Sequence, residues 1–234
     1  MFKPVKFLLT RHGESIWNKQ NKFTGWSNVG LTRLGKQHAT QQGKFMYNNN
    51  IQPTVIFTSS LSRAINTSYL IRSELRNPNI PIISSWKLNE RHYGSLEGIV
   101  RSDVEDSFSK EEVLKIRTDF TSFPLEWPIS NKIHDFADED QKEYNNKFVN
   151  GESVDVAFQR FLPFYLSTIE PCLDIKNSIP LIVTHKHMCR SIIRYLGNQT
   201  PPDEIDNSHL ITIKLKKKEV YATFKIKHGI PSQM

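Results

Sequence analysis

The chain has 234 residues, 38% of them hydrophobic and 24% charged, with a formal net charge of +7. That length and composition suit one globular domain spanning 1–234, and no apolar run approaches the ~20 residues needed to cross a bilayer. The opening stretch MFKPVKFLLT has an apolar run too short for a signal peptide and no small-residue cleavage site after it, so a cytoplasmic protein is expected. The two cysteines, Cys172 and Cys189, form neither a metal pattern nor a disulfide framework. The positive charge points to anionic partners. With no zinc finger, RNP-like run or basic helix beside the lysines of 214–218, a small, highly charged anion in a pocket accounts for it at least as well as nucleic acid. Neither nucleic acid nor membrane is expected as a partner.

In chain order, 5–10 (VKFLLT) predicts a buried strand, and 30–47 a helix capped by Thr32 with Leu34, His38, Phe45 and Met46 on one face. A second strand follows at 54–58 (TVIFT). The helix after it, at 61–75, places Leu61, Ile65, Tyr69 and Leu75 at near-helical spacing. Residues 80–83 suggest a short third strand. The tract 121–150, rich in Pro, Asn and mixed charge, reads as an irregular surface excursion that a lid over a site would explain. Helix returns at 154–170. The most hydrophobic strand, 179–184 (IPLIVT), runs straight into His185 and a helix at 188–196, and 210–215 with 220–226 read as a closing hairpin.

Strands alternate with helices three times. The expected fold class is therefore α/β: a three-layer α/β/α sandwich with a mostly parallel central sheet. Such sheets bind ligands beyond the carboxyl ends of their strands. The first strand ends in Arg11-His12, the second leads into a helix carrying Arg63, the third is followed by Glu90, Arg91, His92 and Tyr93, and IPLIVT ends in His185. If these strands are neighbours, two histidines, arginines and a glutamate converge on one rim. Arginines repel a metal cation but match phosphoryl oxygens bidentately. A neutral histidine among them can attack phosphorus, and Glu90 can move the proton of the attacking or leaving oxygen. Taken singly, each residue has a plainer reading: Arg63 on a solvated helix face, Glu90-Arg91 as a surface ion pair, Trp17, Trp26 and Trp86 as packing, and Gly13, Gly25 and Gly94 as turn residues.

Arg11-His12-Gly13-Glu14-Ser15 with Trp17-Asn18, Phe23-Thr24-Gly25-Trp26 and above all Leu88-Asn89-Glu90-Arg91-His92-Tyr93-Gly94 closely resemble the cofactor-dependent phosphoglycerate mutases of the histidine phosphatase superfamily. Similarity continues through Thr58-Ser59, Arg63-Ala64 and Leu162-Pro163-Phe164, and covers most of the chain. The resemblance implies a phosphoglycerate mutase-like fold that interconverts 3-phosphoglycerate and 2-phosphoglycerate in glycolysis, without a metal, after priming by 2,3-bisphosphoglycerate. It implies His12 as the phosphorylated nucleophile, Arg11, Arg63 and His185 as the phosphate pocket, and Glu90 as the general acid/base. It further implies Asn18, Thr24, Gly25, Arg91, Tyr93 and Arg101 at the phosphate or substrate positions and Arg117 as one of a pair of cations, while Lys186, outside the family pattern, stands to replace a missing cationic contact. Many members of the family form dimers or tetramers.

Several positions depart from the family pattern. His185-Lys186-His187-Met188 stands where His-Gly-Asn-Ser is usual, Ile116 takes the place of one of a pair of arginines, and Asp206-Asn207-Ser208-His209-Leu210 replaces a Leu-Pro-Thr-Gly-like segment. If position 186 needs positive φ, a lysine there costs about 1–2 kcal/mol. All three departures touch substrate binding rather than phosphoryl transfer. They keep two alternatives to a mutase open: a histidine phosphatase acting on another phosphorylated metabolite, and a catalytically weakened paralogue.

Overall fold

The computed structural model describes residues 5–128, 144, 150–197, 200–207, 209–216 and 219–226. Strand β1 (Val5–Arg11) leads through a single helical turn, α1 (Ile16–Lys19), to α2 (Arg33–Asn48). Then come β2 (Val55–Thr58), α3 (Ser62–Glu74), β3 (Ile82–Ser84), α4 (Arg101–Ser107) and α5 (Lys110–Thr118). The second half holds α6 (Val154–Phe164), a π turn (Tyr165–Ile169), α7 (Glu170–Leu173), β4 (Pro180–Thr184), α8 (Lys186–Gly197), β5 (Leu210–Lys216) and β6 (Glu219–Ile226). The six strands form one sheet in the order β3-β2-β4-β1-β5-β6. The first four are mutually parallel, and β5 and β6 add an antiparallel edge.

Alternation along the strands sends side chains to opposite faces, and each face has its own core. Phe7, Leu9, Phe57 and Ile182 pack against Phe161, Ile169 and Ile192 of the second-half helices. Leu8, Ile56, Leu181 and Val183 pack against Met46, Ala64 and Ile71 of α2 and α3. This is the expected three-layer sandwich. A third cluster, Phe23, Tyr93, Leu96, Val104, Val113 and Ile116, is built from the segment that contains α4 and α5.

Element boundaries agree with the sequence expectations to within a few residues, and Thr32 caps α2 by accepting from the Gly35 amide at 2.9 Å. Two expected helix faces need correction. Leu34 and Tyr69 are 39% and 50% exposed. The buried faces are instead Gly35, Ala39, Gln42, Gly43 and Met46 on α2, and Arg63, Ala64, Thr67, Ser68 and Ile71 on α3. Small and polar residues let these two helices approach closely. Helices α4 and α5 carried no expectation. Of the surface excursion expected over 121–150, residues 129–143 and 145–149 lie outside the described residues. Residues 121–128 are irregular and docked: Ser122 accepts from the Arg91 guanidinium and the Trp127 amide donates to Ser95. Among the described residues, no helix is long and apolar enough to cross a membrane.

Candidate active site

Strands β1, β2 and β4 are adjacent, so their carboxyl ends bring Arg11, His12, Ser59 and His185 together. The His12 amide donates to Thr184 at the end of β4. Gly13 then lets the chain turn against the start of α2, where a methyl group on Gly13 or Gly35 would strike the other loop's backbone. His12 is 3% exposed. Its Nδ1 lies 2.6 Å from the Gly13 carbonyl, and its Nε2 lies 3.3 Å from Arg63 Nε. A carbonyl only accepts and a guanidinium only donates, so the neutral ring carries its proton on Nδ1 and offers a lone pair at Nε2. Burial, and then the charges of Arg63 and Arg11, hold His12 well below the usual histidine range. It is therefore neutral at pH 7, as a nitrogen nucleophile must be.

Arg63 is buried, which rules out a solvated helix face. Its two terminal nitrogens donate to the carbonyls of Ser27 and Gly25 at 2.8 and 2.7 Å, which aims Nε at His12. Burial lowers its pKa to about 10, so it stays charged at neutral pH. Arg11 donates to the Ile205 carbonyl while its Nε is buried without a partner. His185 packs edge-on to His12 with ring centroids 4.9 Å apart. Its Nε2 meets Ser59 Oγ at 2.7 Å, and its Nδ1 is buried without a partner. Burial, then Arg63, keep His185 neutral by lowering its pKa well below 6.5.

Glu90 faces His12 across the same cleft. Its Oε1 accepts from the Arg91 amide at 2.9 Å. Burial works against the carboxylate here, but His187 and the Arg91 amide outweigh it and hold the carboxyl well below its usual range. The loop carrying Glu90 is clamped from behind. Arg160 donates to the carbonyls of Trp86, Lys87, Asn89 and Glu90 and pairs with Glu152 at 2.9 Å. Glu97 ties Trp26, Ser27 and Tyr93 together. Gly25, at φ +51°, leaves the space that the Glu97 carboxylate fills. Trp26 and Trp86 pack edge-on to each other, as packing residues.

Asn18, Thr24, Gly25, Tyr93, Arg101 and Arg117 all line the cleft, as do Arg11, His12, Arg63, Glu90 and Lys186. Asn18 has its Oδ1 taken by the Ser15 amide in a reciprocal cap, which leaves its amide protons for a ligand. Arg91 stands apart: its guanidinium is fully buried on the carbonyls of Ile116 and Ser122 and lies over Tyr93. His185 also lies behind the lining, in contact with His12. Lys22, Phe23 and His187 line the cleft too, and carried no expectation as site residues. Of these, His187 alone had a signal, its place beside His185. At the mouth, Glu204 pairs with both Lys186 at 2.6 Å and Arg117 at 3.1 Å. Lys186 is the first residue of α8 and is not among the residues with positive φ, so the backbone cost expected for a lysine there does not arise.

A cleft of cations around a neutral histidine with a free lone pair, with a carboxylate opposite, suits phosphoryl transfer. The model of the histidine phosphatase superfamily (branch 1) matches residues 7–126. The 2,3-bisphosphoglycerate-dependent phosphoglycerate mutase of Buchnera aphidicola subsp. Cinara cedri is 42% identical over 205 residues, covering 87% of this chain and 89% of that one. The protein of the same name from Blochmanniella floridana is 34% identical over 212 residues, covering 89% of each. A crystal structure of phosphoglycerate mutase from Bacillus anthracis superposes with a TM-score of 0.73 at 19% identity, over 96% of this chain and 93% of that one. A mycobacterial glucosyl-3-phosphoglycerate phosphatase superposes at 0.72 with 16% identity, over 94% and 96%; at these identities the superpositions speak to fold alone. The chain belongs to the 2,3-bisphosphoglycerate-dependent phosphoglycerate mutase family within the histidine phosphatase superfamily.

Proposed function

We propose that the protein interconverts 3-phosphoglycerate and 2-phosphoglycerate through a phosphohistidine on His12. One observation carries this reading: a buried histidine, proton on Nδ1, presents its Nε2 lone pair to a cationic cleft that also holds an ionised Glu90. Partnerless buried donors at Arg11 and Arg101 fit a polyanion such as 2,3-bisphosphoglycerate, the primer the family's name implies. When bound, that primer supplies the phosphoryl group that loads His12.

Each protein group then has a defined task. The Gly13 carbonyl keeps the His12 ring in its tautomer and stabilises the charge that appears once Nε2 carries phosphorus. Arg11 and Arg63 balance the negative charge that spreads over the transferring oxygens. For transfer to a monophosphoglycerate, the substrate O–H bond breaks as the O–P bond forms and the N–P bond breaks. Glu90, ionised in the resting site, accepts that proton, and it returns the proton to the leaving oxygen in the reverse step. Tyr93, Arg101, Arg117 and Lys186 hold the carboxylate and the second phosphate. A cytoplasmic location and a small phosphorylated carboxylate as partner belong to the same reading.

Purified protein incubated with 3-phosphoglycerate, with and without 2,3-bisphosphoglycerate, tests it. Isomerisation that depends on the bisphosphate with little phosphate release is the expected result. Phosphate release without 2-phosphoglycerate would mean a phosphatase, and neither product from folded protein would mean a non-catalytic paralogue.

A further inference from the structure

His187 lies between the acid/base carboxylate and a backbone carbonyl. Its Nε2 meets the Arg117 carbonyl at 3.1 Å. Because a carbonyl only accepts, Nε2 carries the ring's proton. The other nitrogen, Nδ1, then faces Glu90 Oε1 at 3.4 Å, and the His187 amide approaches Glu90 Oε2 at 3.4 Å. A lone pair on Nδ1 against a carboxylate oxygen, in a site where His187 is 3% exposed and Glu90 8%, is unfavourable unless a proton lies between them. The neighbours do not supply one. Lys186 is turned to Glu204, the Arg91 guanidinium to Ile116 and Ser122, Arg117 to Glu204, His185 to Ser59, Arg11 to Ile205, and Arg63 to Ser27 and Gly25. Tyr93 presents its ring, 6.0 Å from that of His187.

We propose that His187 and Glu90 form a proton-sharing pair, in which His187 Nδ1 holds the proton that Glu90 exchanges with the substrate oxygen. The proposal rests on Glu90 being the acid/base of the proposed reaction. The proton that lies between Glu90 and Nδ1 in the unphosphorylated site goes to the leaving oxygen when His12 takes up a phosphoryl group, so in the phosphoenzyme the pair is without it. As the substrate O–H bond then breaks, its proton moves to Glu90 and is shared with Nδ1. When the N–P bond to His12 re-forms, the proton returns to the leaving oxygen, and the pair ends as it began. Two groups this close titrate as a unit, and the unit keeps its proton to higher pH than an isolated, well-solvated-by-cations Glu90 would. His187 is thus a positioning residue that sets how long Glu90 remains an acid.

Two measurements test this. The first is the pH dependence of kcat for His187→Asn, which keeps hydrogen bonding but has no titratable proton. Its alkaline limb is expected to move toward lower pH by one unit or more, with KM for 3-phosphoglycerate changed less than threefold. A profile that superimposes on wild type, whatever the loss in kcat, overturns the proposal and leaves His187 structural. The second is a 15N NMR titration of histidine-labelled protein without substrate, comparing wild type with Glu90→Gln. The His187 titration is expected to fall by one pH unit or more once the carboxylate is gone; an unmoved titration overturns the pair even if the Asn variant does not fold. Absence of isomerase activity alongside an intact NMR coupling would refute the mutase reading and leave the pair standing.

Discussion

Replacing Arg160 with Met is the sharpest test of how the fold places Glu90. The guanidinium is buried, pairs with a fully buried Glu152 at 2.9 Å, and donates to four carbonyls between Trp86 and Glu90. Two of those carbonyls keep another donor: Trp86 has the Asn89 amide, and Glu90 has the Trp26 indole at 2.6 Å. The carbonyls of Lys87 and Asn89 lose the donor that Arg160 gives them. Removing one partner of a buried pair costs about 3–5 kcal/mol because the other charge is stranded, and an orphaned carbonyl costs about 1–3 kcal/mol. The two figures overlap in what they count, so the upper half of about 3–5 kcal/mol is the expected loss. Against a total of about 5–15 kcal/mol for a typical protein, that is a large fraction. Urea unfolding followed by tryptophan fluorescence suits the measurement, since Trp26 lies 5.4 Å and Trp86 6.0 Å from the guanidinium carbon. The double variant Arg160→Met with Glu152→Gln should recover part of the loss, because no charge is then left unpaired. A single variant within about 1 kcal/mol of wild type would refute the reasoning, since every mechanism invoked here exceeds that. So would a double variant less stable than the single one.

The remaining predictions concern the cleft. His12→Ala should abolish acid-labile phosphoenzyme after incubation with labelled 2,3-bisphosphoglycerate; label that persists would move the nucleophile elsewhere. Burial lowers Lys186 to about 8 despite its bond to Glu204, so its charge is present below pH 8 and lost above it. KM for 3-phosphoglycerate should therefore rise by about tenfold between pH 7 and 9, the lower end of what one charged hydrogen bond of ~1.5–3 kcal/mol contributes, and the rise should vanish in Lys186→Gln. Glu204→Gln removes a group that raises the Lys186 pKa, so the same rise in KM should begin at lower pH, read from the same steady-state series. Gly35→Ala should lower the melting temperature, because the added methyl runs into the Glu14 backbone, where backbone cannot yield as a side-chain tip can.

Much of the scaffold was legible in the sequence because it is written in apolar runs. VKFLLT, TVIFT and IPLIVT are buried strands, and their order of hydrophobicity fits a parallel sheet covered on both sides. The rim of Arg11, His12, Arg63, Glu90 and His185 was legible for the same reason, since each follows a strand. Helix faces were less so. Periodicity looks for large apolar residues, whereas the buried faces of α2 and α3 carry Gly35, Ala39, Gly43, Ala64 and Ser68 and leave Leu34 and Tyr69 outside. The supports behind the site were illegible as motifs. Glu97 and Glu152 act on backbone amides far away in sequence, and nothing local marks them. Arg160 did have a signal: it shares the buried stripe of α6 with Val154, Ala157 and Phe161, and an arginine on an apolar stripe must find partners inside.

The departures from the family pattern look like separate losses in the sequence, but the structure joins them. Ile116 does not leave a hole where an arginine is usual; it is 3% exposed, packs in the third apolar cluster, and its carbonyl holds the Arg91 guanidinium. Lys186 brings a cation to the cleft and does so from an ordinary helical start. Glu204 pairs with it and with Arg117. Asn207, within the altered C-terminal segment, donates to the His12 carbonyl at 2.6 Å, so that segment holds the His12 backbone. His187 fills the space between Glu90 and Arg117. The Glu204 carboxylate that meets Lys186 and Arg117 is itself 64% exposed. The altered wall therefore changes the cations at the mouth of the cleft and the neighbour of Glu90, while the His12 ring keeps its contacts with Gly13 and Arg63.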